Sequence, residues 1–326
     1  MKNACIIGYG AIGPIHAMAL EHIENARFYA VCDIDPARLD ACREQYDVKC
    51  LDHFDAVLAD EQIDSVHICT PHYLHFDMIR RALAAGKTVV AEKPATMTKS
   101  EWDQLKALPG ADKICLVLQN RYNPSIVRLK EMAQSGEYGE IRAVRAFMTW
   151  NRTPEYYRSG AWRGKWATEG GGVLINQAVH TLDFMTYIAG GVDSLRANSM
   201  NYSLQDVIET EDTFTAYMRF KNGAGGIFFA TNAYPINSAP EVEVVFEKKT
   251  VRYAYGRLTA DGVALAEDVK PTVGKDYWGS GHERLIRKYY DEQVYFSPAD
   301  AEDTMNVMFA MYASAAENGK EQILGD

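Results

Sequence analysis

Between residues 2 and 120 the chain alternates short, wholly apolar runs with longer stretches whose apolar positions recur every three to four residues. The runs NACIIG, RFYAVCD, SVHICT, KTVVAEK and KICLVLQ are separated by helical patterns over 12–24, 36–46, 73–85 and 98–108. Continuous apolar strands alternating with helices predict a parallel sheet covered on both faces. Local signals agree: Asp35 before Pro36 opens a helix, Thr98 with Glu101 makes a capping box, and Gly86 closes the segment IRRALAAG. After a helix near 124–134 the period changes. The runs IRAVRAFMTWN, TFTAYMRFKNG, GAGGIFFATNA, EVEVVFEKK and TVRYAYG read as strands, with Asn222-Gly223 as a hairpin turn. They predict a largely antiparallel sheet in a second, α+β domain. Two helices follow, one opening at Ser280 with Glu283 completing a capping box, the other over 299–317.

A chain of 326 residues suits two such domains. With 44 acidic against 34 basic side chains, the net charge of −10 argues against nucleic acid as a general partner. No apolar run reaches the length of a membrane span, and MKNACIIGYG lacks a secretory apolar region, so the expected location is cytoplasmic, with no membrane partner. All six cysteines lie in the first 115 residues without CxxC spacing. They read as buried core residues rather than disulfides or zinc ligands.

The first chemistry appears in CIIGYGAIG. Gly8, Gly10 and Gly13 stand in G-x-G-x-x-G spacing between a strand and a helix, with Ala11 and Ile12 inside the loop. Gly8 permits the tight turn, Gly10 admits a pyrophosphate against the backbone, Gly13 allows close helix–strand packing, and the helix N-terminus offers amide donors. Asp33 ends the next strand 20 residues after Gly13, where a carboxylate accepts the adenosine ribose hydroxyls. A carboxylate there favours NAD over NADP, because it repels a 2′-phosphate. Arg38 is read as pointing to solvent from its helix.

Two further strands end in ICTPHYLH and AEKPATMT, at the sheet edge where open α/β folds bind ligands. With these, with QNRYNP (119–124) and with EGGGVLINQAVHTLD (169–183), the chain resembles the Gfo/Idh/MocA family of NAD(P)-dependent oxidoreductases. The resemblance implies an α/β fold: an N-terminal Rossmann doubly wound parallel sheet over 1–121, then an α+β domain with a large open, mostly antiparallel sheet over 122–326. The second domain would bind substrate and form a homodimer or homotetramer, and the helix at 299–317 could pack back on the first. Thr70, Pro71, His75, Glu92, Lys93 and Gln119 fall where the family contacts its cofactor. Lys93 matches the lysine that binds the substrate hydroxyl, and His180 the catalytic histidine. The family's frequent aspartate one turn earlier falls on Asn176.

Those residue types suit hydride transfer. Oxidising a carbinol needs a base for the hydroxyl proton, and His180 titrates near neutrality. A cationic Lys93 stabilises developing alkoxide or polarises a carbonyl. Three glycines before the helix let backbone pass close to substrate or nicotinamide, and positions i and i+4 bring Asn176 and His180 to one face. Because a neutral amide cannot favour imidazolium by charge, Asn176→Asp is expected to move the histidine limb of activity to higher pH. His72 and His75 form H-x-x-H without a third ligand nearby, so no metal is expected.

The segment TPEYYRSGAWRGKWATEGGG interleaves aromatic and basic residues, which suits a hydroxylated ring or an anionic sugar. Tyr157, Trp162, Arg163 and Arg121 are the substrate contacts it and QNRYNP suggest, beside Lys93, Asn176, the adjacent Gln177 and His180. The expected activity is hydride transfer between NAD(H) and the carbinol or ketone of a sugar, cyclic polyol, sugar acid or nucleotide-sugar. A glycosidase or lyase that recycles bound NAD through transient sugar oxidation is the alternative. A purely nucleotide-sensing protein needs neither Lys93 nor His180.

Overall fold

The computed structural model describes residues 1–271 and 278–325. Its contacts divide the chain into two units, Met1–Gln119 with Pro271–Ala301, and Asn120–Lys270 with Glu302–Asp326.

The first unit runs β1 (Lys2–Ile7), α1 (Gly13–Leu20), β2 (Ala26–Cys32), α2 (Pro36–Arg43), β3 (Lys49–Leu51), α3 (Phe54–Ala59), β4 (Ser65–Ile68), α4 (His72–Ala84), β5 (Thr88–Glu92), α5 (Lys99–Lys106) and β6 (Ile114–Val117). The six strands are parallel in the order β3-β2-β1-β4-β5-β6. This is the doubly wound Rossmann order, with its reversal between β1 and β4. Every residue of β4 and β6 is buried, as strands sandwiched between helix layers require. Asp35 accepts from Ala37 N, and Thr98 and Glu101 make both bonds of the capping box. Gly86 follows α4 at φ +75°. All six cysteines are free, and five are buried. The sequence reading passed over β3 and α3, a three-residue strand and a six-residue helix too short to display a period.

The chain returns to this unit through α10 (Gly281–Tyr290), and α6 to α9 belong to the second unit: Pro124–Ser135, Pro154–Arg158, Trp166–Glu169 and Val179–Ala189. Its strands are β7 (Ile141–Thr149), β8 (Val192–Met200), β9 (Thr213–Phe220), β10 (Gly225–Thr231), β11 (Glu241–Phe246), β12 (Thr250–Ala254), β13 (Arg257–Ala260), β14 (Val263–Glu267) and, after α11 (Glu302–Ala316), β15 (Gln322–Ile323). They form one sheet, β14-β13-β12-β11-β7-β10-β9-β8-β15, antiparallel except for β7 beside β10. Gly223, at φ +85°, turns β9 into β10. Burial along β11 alternates strictly, the signature of a sheet covered on one face. Helices α6, α9 and α11 pack against this sheet. Alternate residues such as Tyr217 and Ile227 stand exposed.

The helix predicted at 299–317 divides: Pro298–Ala301 form a short turn against β6 in the first unit, and α11 packs on β8 and α9, whereas α10 packs on α1 and buries Leu285, Ile286, Tyr289 and Tyr290. One expectation is corrected. Ser280 precedes α10 but makes no side-chain cap bond, since its Oγ accepts from Arg284 Nε at 2.9 Å. Among the described residues no helix is long and apolar enough to cross a membrane.

Replacing Thr98 with alanine removes one arm of the α5 capping box and should lower unfolding free energy by about 1 kcal/mol, read as a lower urea midpoint at unchanged slope.

Candidate active site

The glycines of the first loop divide their work. A Cβ on Gly8, whose φ is +90°, would lie 2.7 Å from Cys69 O, and one on Gly13 would lie 2.5 Å from Gly8 O. Those two glycines are demanded by strand–helix packing. At Gly10 the nearest neighbour is the Arg38 guanidinium at 3.6 Å, which leaves room over the backbone for a bound group. Ala11 is exposed and Ile12 half-buried at the start of α1. Asp33, buried at the end of β2, accepts from Tyr9 N at 2.7 Å and Asp35 N at 2.9 Å, so each carboxylate oxygen is aimed by one amide. Arg38 does not point away to solvent as expected: its Nη1 lies 3.3 Å from Asp33 Oδ2, because α2 begins three residues after the acid and turns position 38 back over it.

The ends of β4 and β5 are tied by His75, whose Nδ1 lies 2.8 Å from Pro94 O and Nε2 2.7 Å from Thr70 O. With both ring nitrogens against carbonyls, His75 fixes Thr70-Pro71 to Lys93-Pro94 and has no nitrogen left for H-x-x-H ligation with His72. Glu92 is turned inward. Its Oε1 lies 3.0 Å from His16 Nε2 and 3.4 Å from His282 Nε2, and Oε2 accepts from Lys93 N at 3.3 Å. Behind it, His16 Nδ1 meets His67 Nδ1 at 2.8 Å, His67 Nε2 meets Tyr290 Oη at 2.8 Å, and Tyr290 Oη lies 2.7 Å from Ser65 Oγ.

This buried series has a consistent proton count. If His16 donates to Glu92, its Nδ1 must accept from His67, whose Nε2 then accepts from Tyr290, and every imidazole is neutral. Burial pushes His67 well down, with His16 adding to the effect. Burial also pushes His282 down against the pull of Glu92, with nearby Lys93 contributing. The bonds from His16 and His282 outweigh burial at Glu92 and hold it well below the usual carboxylate range. Donor atoms of His16, Glu92 and His282 lie within 4.8 Å of one another, yet two N–H groups on one carboxylate already satisfy all three. The carboxylate of Glu92, a residue expected at the cofactor, is thus held by these inward bonds. Lys93 is half-buried, and Gln119 is buried at the end of the unit's first segment.

In the second unit the histidine helix is anchored by a residue the sequence reading missed. Glu211, fully buried just before β9, accepts from Gly172 N at 3.0 Å, Leu174 N at 3.1 Å and Tyr312 Oη at 2.9 Å. It is a carboxylate cap on a helix N-terminus, but burial outweighs its donors and pushes it up to about 7. A Cβ on Gly172 would lie 1.9 Å from Glu211 O, and one on Gly171 would lie 2.1 Å from Tyr312 Oη. Gly171 and Gly172 are thus required by the close approach of these two residues. Beyond the glycines, Leu174–Ala178 form a π-helical turn before α9. Such a turn carries an i→i+5 bond; Asn176 lies inside it and His180 stands on α9 directly after it.

The π turn buries Asn176 and Gln177 together. Asn176 Nδ2 donates to Glu169 Oε1, and Glu169 Oε2 accepts from Gly164 N. Gln177 Nε2 donates to Tyr156 Oη at 3.0 Å, its Oε1 accepts from Asn232 Nδ2 at 2.9 Å, and Asn232 also donates to Tyr157 Oη at 3.1 Å. Arg163 lies 4.5 Å from both the Tyr156 and Trp162 ring centres, with Nη1 donating to Tyr156 Oη at 2.7 Å. Of the substrate contacts expected in this unit, Tyr157, Arg163 and Gln177 therefore join one network, Asn176, next to Gln177 in sequence, is held by Glu169, Trp162 stacks on Arg163, and half-buried His180 follows on α9. Arg121, also expected among these contacts, is held by an ion pair. Nε and Nη2 bond Asp183 at 2.9 and 2.6 Å, and the guanidinium lies over Tyr187 at 4.3 Å. A buried cation needs such a partner.

The chain matches the family models for the oxidoreductase NAD-binding Rossmann fold of GFO/IDH/MocA over residues 2–118 and for the GFO/IDH/MocA C-terminal domain over 126–252. It belongs to the GFO/IDH/MocA family and is an oxidoreductase with an NAD-binding domain. It is 26% identical to the myo-inositol 2-dehydrogenase of Thermotoga maritima, over 88% of this chain and 84% of the relative. To the inositol 2-dehydrogenase of Rhizobium meliloti it is 27% identical, over 86% and 79%. The WlbA dehydrogenase of Bordetella pertussis, solved with NADH and UDP-GlcNAcA, is similar over the full length of both chains at 25% identity and a TM-score of 0.85. These relatives are dehydrogenases, and the recycling glycosidase or lyase is not favoured.

The raised Glu211 makes a pH prediction. A carboxyl near 7 in the folded chain and 4.5 unfolded adds stability that is complete below pH 4.5 and lost as pH rises through 7. Glu211→Gln should flatten that decline, which amounts to on the order of 3 kcal/mol, in thermal melts taken between pH 4.5 and 7.5.

Proposed function

We propose that this protein is an NAD-dependent dehydrogenase acting on a carbinol of a sugar, cyclic polyol, sugar acid or nucleotide-sugar, or on the corresponding ketone. The observation that carries the reading is the pairing of an open Gly10 backbone with Asp33, whose two oxygens are each aimed by an amide. That arrangement fits a dinucleotide: amides at the start of α1 suit a pyrophosphate, and the remaining lone pairs of Asp33 suit a ribose diol. Bound NAD supplies the hydride acceptor. Lys93 holds the reacting oxygen and stabilises its developing charge, and His180 takes the hydroxyl proton. Asn176 positions the same group. Tyr157, Trp162, Arg163 and Gln177 offer stacking surface and hydrogen bonds to a hydroxylated ring. The exposed alternate residues of the nine-stranded sheet support an even-numbered homo-oligomer.

NADH absorbance is followed on mixing protein and NAD with myo-inositol, monosaccharides, sugar acids and nucleotide-sugars. A substrate-dependent rise is expected, reduced about 10²–10⁴-fold in His180→Ala and lost in Lys93→Ala. No rise with any class, or variants that match the parent, would overturn the reading.

The cofactor preference has its own measurement. NAD should bind at least about tenfold more tightly than NADP, since Asp33 opposes a 2′-phosphate. Asp33→Ala should narrow the ratio from both sides, because it removes the ribose acceptor and leaves the Arg38 guanidinium in place.

A further inference from the structure

We infer that Glu169 is a positioning residue that brings a carboxylate to the histidine helix through Asn176, the role the resemblance assigns to an aspartate at position 176. The inference rests on the reading of Asn176 and His180 as the acid/base face, whatever the substrate.

Glu169 ends the short helix α8, and Gly170, at φ +81°, reverses the chain so that the carboxylate faces residue 176, seven positions later. It is 1% exposed. A carboxylate at that depth is costly unless it accepts strong hydrogen bonds, and two of its partners are Asn176 Nδ2 and Gly164 N. The first of these settles the amide's orientation by chemistry. With Oδ1 turned toward Glu169, two acceptors would meet without a proton between them. Nδ2 must face the carboxylate, which turns Oδ1 away from it as an acceptor for a hydroxyl or an imidazole N–H.

Among the described residues, titratable groups that feel the charge of Glu169 from neighbouring elements include Tyr157 of α7 and Tyr312 of α11, with Glu211 hydrogen-bonded to Tyr312. Burial is the main cause that pushes both tyrosines up, and the charge of Glu169 adds to it. Both stay neutral at working pH, so Glu169 is the acid that bears on Asn176 directly. Its other oxygen, accepting from Gly164 N, pins the residue after Arg163. One carboxylate thus fixes both the amide on the helix and the aromatic–arginine segment.

On this account Asn176 is not a weakened aspartate. An aspartate in its place would set two carboxylates at hydrogen-bond distance, of which only one ionises near neutrality. The simple upward pH shift expected of Asn176→Asp is replaced by a coupled pair, and the charge is restored only when Glu169 becomes an amide.

The test is a four-member cycle of parent, Glu169→Gln, Asn176→Asp and the exchanged pair E169Q/N176D. The imidazole of His180 is titrated by NMR of histidine-labelled chain, with its signal assigned by its loss in His180→Gln. Glu169→Gln should lower the His180 pKa by about half to one unit, the scale of one charge at several ångströms. The exchanged pair should restore it. Asn176→Asp alone should lose thermal stability as pH rises through neutrality, and the exchanged pair should not. If Glu169→Gln fails to fold, the exchanged pair still decides, because it retains one carboxylate and one amide. A His180 pKa unmoved by Glu169→Gln, or an exchanged pair no better than the sum of its single changes, would overturn the inference. Failure of the catalytic reading shows elsewhere: His180→Ala would form NADH at the parent rate while the imidazole shifts stood.

Discussion

The histidine helix depends on a buried carboxylate. Glu211 accepts the amides of Gly172 and Leu174 and the hydroxyl of Tyr312, so a single side chain joins the entry to β9, the start of the helix and the last long helix of the chain. Everything local follows from how close those parts must come. The space left beside Glu211 O and Tyr312 Oη admits no side chain, which forces glycine at 171 and 172. The π turn then buries Asn176 and Gln177 together, and the residues that meet them are set by that geometry. Its neighbour Glu169 holds the amide of Asn176 from one side while Tyr156 and Asn232 hold that of Gln177 from another.

The first unit handles buried charge by the same principle with different residues. Glu92 is stable as an anion because His16 and His282 donate to it, and His16 can donate because His67 and Tyr290 complete its proton count. The arrangement has a positional consequence. Glu92 and Lys93 are adjacent, yet one is committed to the interior and the other is half-buried, so the lysine's backbone is held by its neighbour's carboxylate. His75 supplies a second tether from β4 to β5. Arg121 and Asp183 form the corresponding pair in the second unit, where a bidentate contact with Thr304 and Tyr187 beside it satisfies a cation that polarity alone would place on a surface.

Much of this was legible in the chain. Wholly apolar runs announced strands covered on both faces, and the change to alternation in EVEVVF announced a sheet covered on one. Thr98 with Glu101, Asp35 with Pro36, and Asn222-Gly223 marked real boundaries because their bonds are local, closing within a few residues. The nucleotide loop was legible for the same reason. Partners that only folding brings together are not legible: Asp33 beside Arg38, His282 beside Glu92 and Asp183 beside Arg121. Glu169 carries no signal of its own, since nothing in its neighbours shows that the chain reverses.

By itself, then, the amino-acid sequence determined the two kinds of sheet, the dinucleotide loop with its acid, the membership that the family models bear out, and the residue types at 93, 176 and 180. Tertiary structure alone decided that α10, rather than α11, belongs with the first unit, that the glycine run answers to Glu211 and Tyr312, and that a carboxylate reaches Asn176 from position 169. The physical reason is range. Periodicity, caps and turns are settled by bonds a few residues long, whereas a buried charge is settled by whichever groups folding brings within about 3 Å of it, from anywhere in the chain.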